Sequence, residues 1–358
     1  MLSYTVGVAT ALLDKAMFLA RTPEPSINRP CRIGIKAMPF LAGDIGGTKS
    51  LLELGQIERG SWITLRTERL PSRRFSSLEE LIATFLPPGT EIEAACFGVA
   101  GPVIGGRSRL THLRWLVEED RLSRVLGGTR VKLLNDLEAA GWALLDPAPI
   151  EKIALQEGQG EGNRAIIAAG TGLGEALLIW VDGTYRVQPT EGGHCDFAPT
   201  TPLQLELLSW LWREVSGRVS FDDLLSGRGL ERLYRFFRLR SGLGAIDLPA
   251  PEVSRRALSG EDPQAEEALR LWCEIYGAEG GNLVLKSLAL GGLFIAGGIA
   301  PKVSGYLKRY FLAPFLGKGR FRDLLTAVPV WLILEEELVL RGAKSWILRT
   351  AMEQKSAP

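Results

Sequence analysis

The segment of this chain that is best suited to chemistry reads Asp44-Ile45-Gly46-Gly47-Thr48-Lys49, directly after an apolar run. Glycines leave the backbone N–H groups of a turn open to an anion, while Thr48 and Lys49 add a hydroxyl donor and a positive charge. Asp44 supplies a carboxylate suited to a hydrated metal ion. The segment therefore indicates one wall of a nucleotide-phosphate site, although a Gly-Gly pair is also common in plain β-hairpin turns. It is not a P-loop, because Thr48 stands where that motif has its second glycine and a strand is expected next.

A second glycine-rich segment, Gly170-Thr171-Gly172-Leu173-Gly174, follows an apolar run at 166–169. It has the spacing GxGxG and precedes an expected strand, whereas the dinucleotide fingerprint needs GxGxxG and a helix. We interpret it as a second phosphate-binding turn opposite the first. A third glycine pair, Gly297-Gly298, ends the apolar run 293–296. It suits the nucleoside half of a nucleotide, and close helix–strand packing explains it almost equally well.

The pair Asn135-Asp136 stands at the end of the apolar run 131–134. Ligands bind at the carboxyl ends of strands in open α/β sheets, and a carboxylate there could accept a proton from an attacking hydroxyl. Asn and Asp are also ordinary helix N-caps, so a purely structural role for the pair stays open.

The segment Glu191-Gly192-Gly193-His194 places a carboxylate and an imidazole on either side of two glycines. Such a turn suits hydrogen bonding to neighbouring hydroxyls of a polyol, although a lone histidine often bonds only to local backbone. Histidine is rare in this chain, which has two in total, and this favours a functional role. Asp222, shortly before the segment Leu224-Leu225-Ser226-Gly227, is a third and weaker candidate.

These segments lie in an α/β pattern. A strand, glycine turn, strand, turn, strand series begins near residue 40 and again near residue 166, which predicts two similar domains. A capping box at 77–80 begins a helix. Further helices are expected at 119 onward, 136–145, 201–216, 264–289 and about 338–352, and further strands at 93–99, 131–134, 293–296 and 328–334.

We expect a small α/β domain from 38–146 plus about 338–358, and a large α/β domain from 147–337. Residues 1–37 differ from the rest and carry three prolines between Thr22 and Cys31. Either Met38 is the true start or the segment is a targeting peptide, and the first interpretation is preferred because Asp14 and Glu24 are atypical of such peptides.

The composition excludes several classes of protein. The 42 basic and 41 acidic residues give a net charge of +1, so no overall field favours nucleic acid or an anionic membrane. The four cysteines form no CxxC pair, which indicates reduced thiols and a cytoplasmic protein rather than a zinc site or disulfide framework. No apolar run approaches the ~20 residues that span a bilayer.

From Met38 onward the chain resembles the bacterial glucokinase family, within the actin and sugar-kinase superfamily. Seven segments in order carry the resemblance: LAGDIGGTK (41–49), GVAGPV (98–103), LLNDLEA (133–139), AAGTGLGEA (168–176), EGGHCDFAP (191–199), LLSGRGL (224–230) and FIAGGIAP (294–301). The resemblance implies two similar α/β domains with mixed sheets around a deep cleft, the ribonuclease H-like, actin-like ATPase fold. It further implies ATP and glucose as substrates, Mg²⁺ as cofactor and a homodimer.

The family also implies roles for individual residues. Asp136 would be the general base on the sugar 6-hydroxyl, and Asp44 would hold magnesium through water. The sugar would be bound by Asn135, Asp136, Glu191, His194 and Asp222. The nucleotide would be bound by Asp44, Gly46, Gly47, Thr48, Lys49, Gly170, Thr171, Gly172, Gly174, Gly297 and Gly298.

Two departures from the family pattern matter. Asp222 replaces a glutamate and is one methylene shorter, and His112 stands where the family often has asparagine. His112 either approaches the sugar or caps a turn, and the second interpretation is preferred. We expect an ATP-dependent glucokinase. Two alternatives stay open: a kinase for another hexose, and a sugar-sensing regulator of the same fold, although neither a helix-turn-helix nor a cysteine cluster is evident.

Overall fold

A computed structural model describes residues 38–110, 112–215 and 217–356, with side chains up to 353. The two interpretations of residues 1–37 lie outside the described residues. The strands in chain order are β1 (Phe40–Ile45), β2 (Lys49–Glu58), β3 (Ser61–Pro71), β4 (Ala94–Val99), β5 (Arg107–Leu110), β6 (Trp115–Glu118), β7 (Arg130–Asn135), β8 (Lys152–Gln156), β9 (Arg164–Ala169), β10 (Leu173–Val181), β11 (Thr184–Thr190), β12 (Leu293–Ala296) and β13 (Val330–Ile333).

The helices are α1 (Leu78–Phe85), α2 (Glu119–Val125), α3 (Asp136–Ala143), α4 (Pro202–Glu214), α5 (Gly227–Arg240), α6 (Ala250–Ser259), α7 (Pro263–Ser287), α8 (Ser304–Tyr310), α9 (Leu312–Leu316), α10 (Arg322–Thr326) and α11 (Leu338–Ser356). Short 3₁₀ turns include Ser72–Arg74, Gly192–His194 and Ala300–Val303. Among the described helices, none combines the length and apolar character needed to cross a membrane.

The first sheet has the strand order β3-β2-β1-β4-β7. Strands β1, β2 and β3 form an antiparallel meander, while β4 and β7 continue the sheet parallel to β1. Because β1, β4 and β7 run in the same direction, their carboxyl ends meet at one edge. That edge carries both the first glycine turn and Asn135-Asp136, which follow β1 and β7.

The second sheet repeats this arrangement with the order β11-β10-β9-β12-β13-β8. Strands β9, β10 and β11 form an antiparallel meander, and β12 and β13 run parallel to β9. The α/β class with mixed sheets and the repeated meander are therefore confirmed. The second and third glycine turns follow β9 and β12, so they lie side by side at the carboxyl edge of this sheet.

Helix α3 packs against both sheets. A Cβ atom on Gly141 would lie 2.6 Å from a methyl group of Val187 in β11, so the helix approaches the second sheet closely. Helix α11 covers the first sheet, where Leu340 and Ala343 share a buried cluster with Ala42 and Cys96. The division into two domains and its boundaries stay a prediction.

Several elements were not expected from the sequence. These are the β5–β6 hairpin, the strand β8 and the helices α5, α6, α9 and α10. The capping box is correct in one half only, because Ser77 Oγ accepts from the N–H of Glu80 at 3.2 Å. The Glu80 carboxylate bonds to Ser76, at 2.7 Å to its N–H and 2.6 Å to its hydroxyl, rather than to Ser77.

Candidate active site

The first glycine turn is a tight hairpin between β1 and β2, which pair as far as Ile45 and Ser50. The N–H of Gly46 donates to the Lys49 carbonyl at 3.2 Å. The side chains of Thr48 and Lys49 are exposed beside it. The turn is therefore a hairpin in geometry and still offers the predicted hydroxyl and ammonium groups to a ligand.

Ser72 holds this turn from behind. Its hydroxyl donates to the Gly46 carbonyl at 2.7 Å and lies 2.9 Å from the Ser50 hydroxyl, while its N–H donates to the Thr48 carbonyl at 3.0 Å. Ser50 and Ser72 are both fully buried. Sequence reasoning missed Ser72, because nothing in its local pattern ties it to a turn 26 residues earlier.

Ser72→Ala is expected to destabilise the protein by about 1–3 kcal/mol, because it leaves the buried Ser50 hydroxyl and the Gly46 carbonyl without their partner. The nucleotide KM should rise as the turn loosens. Chemical denaturation and steady-state kinetics measure both effects. Ser209→Ala is the control, since its exposed hydroxyl bonds only within α4, and equal stability of the two variants would contradict the assigned role of Ser72.

Asp44 and Asp136 form a pair of interacting carboxylates at the carboxyl edge of the first sheet. Burial raises the pKa of Asp44 to about 7, and the nearby Asp136 carboxylate adds to this increase. Arg69 opposes it and Glu337 supports it. Arg69 and Glu337 form an exposed ion pair at 2.8 Å, which the sequence alone did not connect with the site.

Asn135 is the N-cap of α3, as the structural interpretation anticipated. Its Oδ1 accepts from the N–H groups of Leu137 at 2.9 Å and Glu138 at 3.3 Å, and its Nδ2 donates to the Gly101 carbonyl at 3.1 Å. Two of the hydrogen-bonding functions of the side chain are therefore used in fixing the start of α3. This leaves its second N–H as the group that could donate to a ligand.

Asp136 is the first residue of α3, and its carboxylate interacts with two other carboxylates. Burial raises its pKa to about 6, the N–H of Leu137 opposes the increase through a 2.9 Å hydrogen bond to Oδ1, and Glu191 adds to it. Asp136 thus interacts electrostatically with Asp44 of the first glycine turn and with Glu191 of the histidine segment. The structure brings three predicted site residues together that are far apart in sequence.

The second glycine turn is fixed by Asp222. Its Oδ1 accepts from the N–H of Leu173 at 2.7 Å, and a Cβ atom on Gly172 would lie 2.6 Å from the same oxygen. Gly174 leaves room for Leu137 at the start of α3, whereas no heavy atom lies within 4 Å of a Cβ on Gly170. Close packing accounts for two of these glycines, and open space remains at the third.

The third glycine pair shows the same contrast. Gly297 has φ +93° and lies against Ala169 at the end of β9, so that no side chain fits there. Gly298 has open space around it. The close-packing interpretation therefore explains Gly297, while Gly298 remains free to line a ligand.

The histidine segment forms a 3₁₀ turn, Gly192–His194, with Glu191 before it. Glu191 Oε2 lies 3.9 Å from His194 Nε2, and both side chains are more than half exposed. Arg218 donates to the His194 carbonyl at 2.6 Å, and the N–H of Asp222 donates to the Gly193 carbonyl at 2.8 Å. The turn is thus held through its backbone, which leaves its polar side chains available.

His112 lies beside Gly47 of the first glycine turn. A Cβ atom on Gly47 would be 2.9 Å from the Cβ of His112. Within the described part of the chain, no group of three His, Cys, Asp or Glu side chains is arranged to hold a metal ion unaided. Any metal ion at Asp44 would therefore need ligands from water or substrate.

The repeated meander, extended by parallel strands in both sheets, is the arrangement of the actin-like ATPase fold, to which sugar kinases belong. Comparison with known proteins agrees, since the family model described as Glucokinase matches residues 41–350. A glucokinase from a Nostoc species is 38% identical over an alignment of 333 positions that covers 85% of this chain and 97% of the relative. One from a Photorhabdus laumondii strain is 36% identical and covers 86% of this chain and 96% of the relative. The chain belongs to the glucokinase family.

Solved structures support the same fold. A glucokinase from an Antarctic psychrotroph superposes with a TM-score of 0.77 at 30% identity, covering 87% of this chain and 99% of its own. A glucokinase from Balamuthia mandrillaris in complex with glucose reaches 0.73 at 21% identity, covering 88% and 95%. A ROK family glucokinase from Streptomyces griseus in complex with glucose and AMPPNP reaches 0.58 at 20%, covering 87% and 99%.

Proposed function

We propose that this protein phosphorylates the 6-hydroxyl of glucose with ATP, giving glucose 6-phosphate and ADP, with Asp136 as the general base. The observation that carries the proposal is that the Asp136 carboxylate, at the carboxyl end of β7, interacts electrostatically both with Asp44 before the first glycine turn and with Glu191 of the histidine segment. A base that is near both a phosphate-binding turn and a sugar-binding turn suits the transfer of the γ-phosphate to a sugar hydroxyl.

The chemistry asked of Asp136 is a single proton transfer. With its pKa near 6 the carboxylate is ionised at neutral pH and is basic enough to accept the proton of the 6-hydroxyl. The hydroxyl oxygen then forms its bond to the γ-phosphorus as the bond to the leaving ADP oxygen breaks. Phosphoryl transfer depends mainly on positioning and on charge neutralisation, which suits two backbone turns and one base.

The nucleotide side would consist of the three glycine turns. The turns around Gly46, Gly170 and Gly298, with Thr48 and Lys49, would contact the phosphates and the nucleoside. The residues around Asp44 fit Mg²⁺ because this carboxylate is held beside Asp136 in a low-dielectric site. When bound, Mg²⁺ would neutralise charge on the phosphates.

The sugar side would consist of Asn135, Asp136, Glu191, His194 and Asp222. Asp222 Oδ1 is engaged with the Leu173 N–H, so its second oxygen is the atom left to contact a sugar hydroxyl. Because one carboxylate would bind both the Leu173 N–H and a sugar hydroxyl, its position would control which hexose is preferred. A homodimer stays a prediction from the family.

The decisive experiment measures ATP consumption by the purified full chain with glucose, mannose, fructose and N-acetylglucosamine. Glucose is expected to give the highest kcat/KM, with glucose 6-phosphate as product. Binding of glucose without ATP consumption would point to the sugar-sensing regulator. Preference for another hexose would move the proposal to that sugar, and inactivity on every hexose with ATP, ADP or polyphosphate would refute it.

Asp222→Glu is expected to change the ratio of kcat/KM between glucose and mannose by several-fold while the ATP KM stays similar. The longer side chain would shift the carboxylate relative to both Leu173 and the sugar. Asp223→Glu is a neighbouring control, because Asp223 bonds to Ser220 at 2.8 Å and Arg232 at 3.0 Å, away from the turn. Unchanged hexose ratios in Asp222→Glu would exclude a contact with the sugar.

A further inference from the structure

Glu175, the third residue of β10, is a buried acid without an assigned role in the proposed reaction. Its side chain is 1% exposed, and neither Oε1 nor Oε2 has a hydrogen-bond partner among the described residues. Burying a polar group without a partner is costly, so native proteins keep few such groups. The burial of Glu175 without a partner therefore needs an explanation from the residues around it.

The Glu175 carboxylate lies directly against Gly192 of the histidine segment. A Cβ atom on Gly192 would overlap Oε2 of Glu175 and lie 3.0 Å from its Cδ, and a Cβ on Gly193 would overlap the Leu173 carbonyl of the same strand. Thr190 links the two elements by hydrogen bonds, since its Oγ1 accepts from the Gly192 N–H at 3.1 Å and donates to the Glu175 carbonyl at 3.3 Å. Gly192 and Gly193 are thus packed directly against β10, with no room for a side chain at either position.

Behind Glu175 lies a second buried acid, Glu279 of α7, which is 0% exposed. Its Oε2 accepts from Asn282 at 2.8 Å and its Oε1 from Lys286 at 3.1 Å. Burial raises the pKa of Glu175 to about 7, Glu279 adds to the increase, and Lys286 opposes it. Lys286 is also within electrostatic reach of Cys195, next to His194. Glu175 therefore takes up a proton near neutral pH, and its neutral form suits the contact with Gly192.

We propose that Glu175 is the positioning residue of the sugar-binding segment: its buried side chain sets the place of Gly192 and thereby the places of Glu191 and His194. This inference rests on the proposed function, in which those two side chains bind the sugar. Glu175 itself touches neither substrate, because it lies beneath the backbone of the segment. Its effect should therefore appear in sugar binding rather than in the chemical step.

Steady-state kinetics of Glu175→Ala test the proposal. The glucose KM is expected to rise about tenfold or more, while kcat and the ATP KM stay within about threefold. Glu175→Gln keeps the shape and the neutral form, so its glucose KM at pH 7 should be close to that of the wild type. In the wild type the glucose KM should rise between pH 6 and 8 as Glu175 ionises beside Glu279, and this rise should be smaller in Glu175→Gln. An unchanged glucose KM in Glu175→Ala would overturn the proposal.

A double-mutant cycle of thermal unfolding temperatures tests the contact without relying on activity. Gly192→Ala should lower the thermal unfolding temperature, because its methyl group overlaps the carboxylate. Removing the carboxylate makes room, so Glu175→Ala combined with Gly192→Ala should be less impaired than Gly192→Ala alone. Gly305→Ala, with open space around it, is the control. Additive losses would refute the contact.

These readouts separate the two proposals. If the wild type consumes no ATP with any hexose, the proposed function fails, and the unfolding temperatures of the cycle still decide whether Glu175 positions Gly192. If the wild type is active and the cycle is additive, the positioning role fails and the glucokinase assignment stands. Should Gly192→Ala fail to fold, the kinetic comparison of Glu175→Ala with Glu175→Gln decides.

Discussion

Asp136→Asn is expected to lower kcat by about 10²–10⁴-fold, the range typical of a lost general base. The amide keeps the size of the side chain and its acceptor for the Leu137 N–H but cannot take the proton of the attacking hydroxyl. The KM for glucose should change far less, because Asn135, Glu191 and His194 remain. Steady-state kinetics with glucose and ATP measure this split between kcat and KM.

Folding should not account for this loss. The pKa of Asp136 is raised in the folded state, so its ionised form is unfavourable there relative to the unfolded chain. A neutral asparagine removes that cost at pH 7, and the variant should be at least as stable as the wild type. Glu138→Gln, two residues further along α3, is the matched control and should retain activity. Near-normal kcat in Asp136→Asn would remove Asp136 as the base.

The pH profile gives a second measurement of the same residue. In the free enzyme, protonation of Asp136 near pH 6 abolishes the base, and Asp44 takes up a proton near pH 7. The kcat/KM for glucose should therefore fall as the pH is lowered from about 7 to 5. This acidic limb should be shallower in Asp136→Asn, because one of the two ionisations is gone.

Gly297→Ala is expected to be the most destabilising of the glycine variants at the site, at about 2–6 kcal/mol. Two causes combine: a left-handed backbone at φ +93° costs a residue with a side chain about 1–3 kcal/mol, and overpacking costs a similar amount. The added methyl group would overlap the carbonyl oxygen of Ala169 and lie 2.9 Å from the backbone nitrogen of the same residue. Ala169 cannot retreat, because β9 is paired on both sides by β10 and β12.

Gly298→Ala is the matched neighbour. Its methyl group meets open space, and its φ lies outside the left-handed region, so its stability should equal that of the wild type. If the nucleoside passes Gly298 as proposed, the ATP KM rises in this variant without a loss of stability. Denaturant unfolding of both proteins and ATP titrations measure the contrast. Equal denaturation midpoints for the two variants would contradict the packing assigned to Gly297.

Much of the fold could be predicted because its signals are local. Apolar runs interrupted by glycine turns identified both meanders, and a helix-cap role could be considered for Asn135 because the partners of a cap are the next residues of the chain. Among the elements that escaped prediction, the strands β5, β6 and β8 have only four or five residues each, too few to show a clear periodicity. Strand β8 in addition pairs with the distant β13.

The sequence by itself determined the family, the α/β class and the set of residues that could serve a kinase. Only the tertiary structure decided which of them meet and what each glycine is for. Ser72 under Gly46, Asp222 on the Leu173 N–H and Glu175 against Gly192 are contacts between elements, set by strand order and helix packing. The sequence does not distinguish a glycine that makes room for a ligand from one that makes room for a neighbouring side chain. The space around its α-carbon distinguishes the two, and that space exists only once the chain is folded.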